Sequence, residues 1–75
     1  VDSVTAQIAE ARAQVNRLSN SASLLSQELK ITQDMVAQKA LPKMEELSLQ
    51  RELSDVRGQL NANQQKINGL EADLS

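Results

Sequence analysis

Apolar residues recur at alternating spacings of three and four on both sides of Pro42, the chain's only proline. The stripe before the proline consists of Val1, Val4, Ile8, Ala11, Val15, Leu18, Ala22, Leu25, Leu29, Thr32 and Val36. The stripe after it consists of Leu49, Leu53, Val56, Leu60, Asn63, Ile67, Leu70 and Leu74. Together we call these two stripes the seam. A heptad repeat on each side of one break predicts an all-α fold, an antiparallel two-helix coiled-coil hairpin.

The proline and its charged neighbours predict where the helices end. We expect helix one over about residues 2–39, the turn at about 40–42 and helix two over about 43–75. Pro42 suits the first position of a helix and disfavours helical backbone at Leu41. Glu45 and Glu46 fall in the first turn of helix two and Lys39 in the last turn of helix one, each with the sign that the helix dipole favours. The turn offers no glycine or asparagine for a left-handed C-cap.

Three residues of helix two interrupt its regular pattern. Gly58 and Gly69 fall outside the seam, so we expect them to face solvent at a cost of ~1 kcal/mol each relative to alanine. Asn63 occupies a seam position opposite Ala22. It either fixes the register of the two helices or points sideways into solvent, and the pattern leaves both possibilities open.

The two ends of the chain suggest a fragment of a larger protein. The sequence starts with Val1, and the heptad repeat is still running at Leu74. Pairing the stripes about the turn puts Ile8 opposite Leu74, so both ends lie at the same pole. A two-helix hairpin buries little surface, and we expect marginal stability that self-association or the rest of a larger protein would supplement.

Composition and charge argue against several classes of function. The 8 basic and 10 acidic residues are dispersed, and there is no aromatic residue, which argues against nucleic-acid binding. No apolar run approaches the ~20 residues that span a bilayer. Without histidine or cysteine we expect no enzyme activity, metal site or cofactor. Glu45 and Glu46 are helix neighbours that do not face each other, so we expect them to be solvated.

Several large apolar residues lie outside the seam, and all of them belong to the half of the hairpin nearer Pro42. They are Leu24, Ile31, Met35, Leu41, Met44 and Leu47. Toward the ends, the off-seam apolar residues are small alanines such as Ala6, Ala9 and Ala13. A rod with apolar outer faces near its tip is expected to pack there against another protein. The alternative is scattered exposed residues of no consequence.

The residues around the turn resemble a known family. The stretch 36–53, VAQKALPKMEELSLQREL, and the following 55–60, DVRGQL, are similar to the hairpin turn of the hemolysin-D-like periplasmic adaptors, or membrane fusion proteins. The similarity is greatest to the branch that serves type I protein secretion. It covers about a third of the chain, and the remainder matches only as heptad helix.

The resemblance implies a place in a secretion machine. Such adaptors are anchored in the inner membrane, work in the periplasm with an ABC transporter, and form a ring, commonly hexameric. Their hairpin tips meet an outer-membrane channel of the TolC type. The implied partner-binding tip residues are Met35, Lys39, Leu41, Pro42, Lys43 and Met44. The residues implied for lateral packing between copies are Leu24, Ile31 and Leu47.

Two departures from the family pattern refine this expectation. The lysine before the turn is commonly followed by glycine in the family, whereas here it is followed by Ala40. Drug-efflux relatives carry an arginine, a leucine and a serine for docking, and these positions correspond to Ile31, Met35 and Pro42. Only the apolar middle position keeps its character. We therefore expect an apolar tip contact rather than a polar one.

Two other functions are compatible with heptad helices. A structural coiled-coil rod or tether would oligomerise through the seam, and it is favoured if Pro42 only kinks one continuous helix. A helical arm of an RNA-binding enzyme such as a seryl-tRNA synthetase is also a hairpin. The acidic balance and dispersed lysines weigh against that second alternative.

Overall fold

Two long helices pack side by side in opposite directions. The computed structural model describes residues 2–75, except for the side chain of Asp2, so the predicted seam residue Val1 lies outside the described residues. Helix α1 spans Asp2–Ala37 and helix α2 spans Lys43–Leu74. The described residues measure 56 × 14 × 13 Å, about the length of α1 alone at ~1.5 Å per residue. The predicted all-α helical hairpin is confirmed.

Two side-chain contacts between the helices define how they pair. Near the open end, Arg12 Nη2 lies 2.7 Å from Glu71 Oε2. Near the turn, Gln33 Nε2 lies 3.5 Å from Glu46 Oε2. Both contacts agree with a seam folded back on itself around the turn. The described chain therefore differs from the continuous kinked helix on which the rod alternative depends.

Seam residues form the apolar core of the part of the hairpin that the structure describes. Ile8, Ala11, Leu18, Leu53 and Ile67 are buried, with exposed fractions of 3–8%. The other described seam residues are buried or half-buried, apart from one. Leu74 is 48% exposed, so its predicted burial is wrong. Leu74 is the last residue of α2, at the end of the helix, where helices fray.

The turn is built differently from the prediction. Helix α1 ends at Ala37, two residues before Lys39, and the turn covers residues 38–42. Lys39 adopts a left-handed backbone with φ 60°. Its N–H donates to the Val36 carbonyl at 2.9 Å, and the Ala40 N–H donates to the Met35 carbonyl at 2.8 Å. These two bonds form a Schellman motif, with lysine in the position that glycine usually takes.

Helix α2 starts directly after the proline. Pro42 has φ −74° and ψ 151°, so its backbone is extended and it is the N-cap of α2. The first helical residue is the next one, Lys43. Its carbonyl accepts a bond from the Glu45 N–H at 3.1 Å, but its ring supplies no side-chain cap. The extended backbone of Pro42 turns the chain, and Lys43 begins the helix.

The interrupting residues of α2 are accommodated without cross-helix bonds. Asn63 is half-buried and donates from Nδ2 to the Gln59 carbonyl of its own helix at 2.9 Å. Gly58 and Gly69 are exposed, and a Cβ added at either position would meet nothing within 4 Å. Both glycines therefore face solvent, as predicted.

Candidate partner-binding tip

The half of the hairpin nearer the turn presents large apolar side chains to solvent. Met44, Leu24 and Ile31 are 66%, 65% and 62% exposed. Met35 and Leu47 are 40% and 39% exposed, and Leu41 in the turn is half-buried. None of the described apolar residues outside this half is both large and comparably exposed, except Leu74 at the end of α2.

Helix geometry divides these side chains into two patches. On α1, Leu24, Ile31 and Met35 follow spacings of seven and four, which places them in one stripe about 16 Å long. On α2, Met44 and Leu47 lie three residues apart on the side away from the seam. Both patches border the turn, so they form the sides of the tip.

A polar layer crosses the seam just below the turn. Thr32 and Glu46 are each only 7% exposed. Glu46 Oε2 lies 3.1 Å from Lys43 Nζ, and it accepts hydrogen bonds from Gln50 Nε2 at 3.3 Å and Gln33 Nε2 at 3.5 Å. Every donor thus converges on one carboxylate oxygen, which compensates part of the cost of burying it.

The predicted solvation of Glu46 is therefore wrong, whereas Glu45 is exposed as expected. The physical reason lies in the spacing of helix two. Glu46 stands three residues before Leu49, which continues the alternating pattern of the seam toward the turn. Its charge alone suggested a solvated first turn, and its position would have revealed the burial.

The remaining predicted tip residues come together in the turn. Lys39, Pro42 and Lys43 are exposed and lie within five consecutive residues. Lys39 supplies the left-handed position, Pro42 caps α2, and Lys43 is held by Glu46. Sequence reasoning missed Gln33 and Gln50, which bind the same carboxylate from the two helices.

The tip is an exposed surface of apolar and charged side chains. Among the described residues no cavity is found, and no three acidic side chains are grouped so that they could hold a metal ion. Neither of the described helices combines the length and the apolar character that a membrane crossing needs. The tip thus exposes apolar side chains beside two lysines, Lys39 and Lys43.

A comparison with protein families extends over the whole hairpin. A family model described as AprE, long alpha-helical hairpin, matches residues 1–75. The chain belongs to this AprE hairpin family. AprE is a membrane fusion protein of type I secretion. No curated protein and no solved structure matches the chain.

Proposed function

We propose that this chain is the periplasmic hairpin of a type I secretion adaptor, which bridges an inner-membrane ABC transporter to an outer-membrane channel of the TolC type. Membership of the AprE hairpin family supports the assignment to a secretion adaptor. The exposed apolar tip supports the docking role, and it is the observation that carries the proposal. In this role the parent protein is anchored in the inner membrane and the hairpin extends through the periplasm.

Some tip residues contact the channel, and others set the backbone conformation of the turn. Met35, Leu41 and Met44 contact the channel through apolar surface that the seam does not use. Burying such a side chain at an interface contributes about 1.5–3 kcal/mol each before the cost of association. Lys39 and Pro42 set the backbone of the turn, which presents those side chains in one arrangement.

Neighbouring copies of the adaptor pack against each other through their hairpins. In a ring, commonly hexameric in this family of adaptors, Leu24, Ile31 and Leu47 pack between adjacent hairpins. The hairpin itself conducts substrate passively and catalyses no reaction, because the transporter supplies the energy from ATP. It needs no metal ion or cofactor for this role.

An export assay with charged tip variants tests the docking role. Met44→Asp is the cleanest change, since the side chain is 66% exposed and its replacement removes no core contact. We expect the full-length adaptor with Met44→Asp or Met35→Asp to lose at least about tenfold of its export, since a buried unpaired carboxylate costs several kcal/mol. Ala62→Asp, at an exposed position far from the turn, is the matched control and should export normally.

Folding must be checked alongside export. Far-UV circular dichroism of the isolated hairpin should show unchanged helix content for all three variants, with thermal midpoints lowered by only a few degrees because aspartate is a weaker helix former than the residues it replaces. Normal export by well-folded Met44→Asp and Met35→Asp adaptors would exclude apolar docking through the tip.

A further inference from the structure

The hairpin has two long edges, where residues that flank the seam on α1 meet those that flank it on α2. Observed contacts identify the first edge. Arg12 meets Glu71 there, and Gln33, Gln50 and Lys43 surround the Glu46 carboxylate. Arg12, Gln33 and Glu71 each come four positions after a seam residue, and Gln50 comes four positions after the buried Glu46, so they share one flank. Lys43 lies seven residues before Gln50 and therefore on the same row of α2. Arg57 continues the same row on α2, seven residues beyond Gln50.

In the tip half, this first edge carries only positive charge at its surface. Lys43 and Arg57 are exposed on it, and Lys30 lies at the neighbouring heptad position of α1. Glu46, the acidic residue that this edge contacts, is buried, and the exposed Asp34 lies four residues after Lys30, one heptad position farther from the seam. Leu47 lies beside the same edge and is 39% exposed. We call residues 30, 43, 47 and 57 the basic edge.

The opposite edge of the tip half has the reverse charge. Its flanking row contains Glu28 and Met35 on α1 and Glu45 and Glu52 on α2, all exposed. The half-buried Ser21 continues this row along α1, as expected of a position that borders the seam. Leu24 and Ile31 lie next to the row, and no basic residue of this half does. We call residues 24, 28, 31, 35, 45 and 52 the acidic edge.

Charged and apolar groups occur at similar heights on the two edges. The contact between Gln33 and Glu46 sets the relative level of the helices. At ~1.5 Å per residue, Glu45 and Lys43 lie within about one helical turn of each other along the long axis of the hairpin. Met35 and Leu47, on opposite helices, also lie within one turn of each other along this axis. The carboxylates of Glu28 and Glu52 similarly lie near the height of Lys30. Two hairpins side by side, with their tips together, would pair these groups.

We propose that the acidic edge of one hairpin binds the basic edge of a second copy of this chain, with both tips pointing the same way. The inference deepens the proposed function and rests on its premise that adaptor copies meet through their hairpins. Contact between two like edges would oppose charges of the same sign, whereas contact between unlike edges pairs opposite charges and buries Met35 with Leu47. Such an interface is heterologous, so a pair of hairpins keeps one free acidic edge and one free basic edge, and the array can grow and close into a ring.

Disulfide cross-linking between engineered cysteines tests the pairing, because the chain has no cysteine of its own. One preparation carries Met35→Cys and another carries Leu47→Cys. At about 1 mM protein and low salt, the mixture should form the mixed dimer at least fivefold faster than either variant forms its own dimer. Raising the ionic strength to 1 M, where the Debye length falls to ~3 Å, should slow the mixed reaction.

A charge swap makes the test specific. Glu28→Lys with Glu52→Lys in the Met35→Cys chain should abolish the preference for the mixed dimer. Lys30→Glu with Arg57→Glu in the Leu47→Cys chain should restore it. Circular dichroism confirms that each variant remains helical. Export is not measured here, so a failure to cross-link is distinguishable from a failure of channel docking.

The rates of disulfide formation can also contradict the proposal. Equal rates for the mixed and the single-variant reactions, or a mixed rate that the charge swap leaves unchanged, would exclude an interface between the acidic and basic edges. Faster dimerisation of the Met35→Cys chain with itself would instead indicate a two-fold interface and would also exclude it.

Discussion

Replacing both glycines of α2 by alanine should stabilise the hairpin substantially. Gly58 and Gly69 lie inside the helix, are exposed, and leave open space around an added Cβ. A glycine at an interior helix position costs about 0.8–1.0 kcal/mol relative to alanine, mainly through backbone entropy. Each Gly→Ala change should recover about that amount, with less at Gly69 because it is nearer the end of α2, where helices fray.

The double variant allows the magnitude to be checked by addition. The two positions are eleven residues apart, or about 16 Å along the helix, which exceeds the ~7–10 Å beyond which mutations usually act independently. Gly58→Ala with Gly69→Ala should therefore add up to ~2 kcal/mol. For a domain of this size each kcal/mol raises Tm by about 4–8 °C, so the pair should raise it by up to about 16 °C.

Thermal and urea unfolding followed by far-UV circular dichroism provide the measurement. Ala62→Gly is the matched reverse control, because Ala62 is exposed and lies between the two glycines in the same helix. It should lower the free energy of unfolding by about 1 kcal/mol. A double variant no more stable than the natural chain, beside a destabilised Ala62→Gly, would refute the placement of both glycines in open helix.

Three further changes test the turn, the seam and the polar layer by the same unfolding measurements. Lys39→Gly should stabilise by about 1 kcal/mol, because a left-handed backbone costs a side-chain residue ~1–2 kcal/mol, and a loss of stability would contradict the Schellman turn. Leu53→Ala should cost about 2–4 kcal/mol, whereas Leu47→Ala should stay within ~0.5 kcal/mol, and equal effects would disprove the assignment of the seam. Glu46→Leu should leave stability unchanged or raise it, since leucine removes the cost of burying a carboxylate and the exposed partner Lys43 stays hydrated, whereas a drop above ~1 kcal/mol would show that the polar layer is stabilising.

The fold was predictable because the seam residues follow one period throughout. Leu18, Thr32 and Ile67 are buried where the heptad pattern places them, although Thr32 is polar. The pattern succeeded there because burial in a two-helix hairpin depends on position along the repeat more than on residue type. Glu46 shows the limit of that success, since its charge concealed a seam position.

The turn was less predictable because its geometry depends on bonds that several residues make together. Lys39 fits the end of a helix by its charge, yet it adopts the left-handed backbone that closes the Schellman motif. A lysine gives no local signal for that conformation, unlike glycine or asparagine. The exposed tip side chains were predictable from their off-seam spacing. The opposite charge of the two edges was not predicted, because contacts between the helices were needed to show which residues share an edge.

Site-specific photo-cross-linking from the tip tests the bridging role most directly. A photoreactive residue replaces Met44 in the full-length adaptor, and the matched control replaces Asn68, which is exposed near the opposite end of α2. After irradiation of secreting cells, the account predicts an adduct with the outer-membrane channel from position 44 and none from position 68. A folded, export-competent adaptor that yields no channel adduct from position 44, or yields it equally from position 68, would contradict the account.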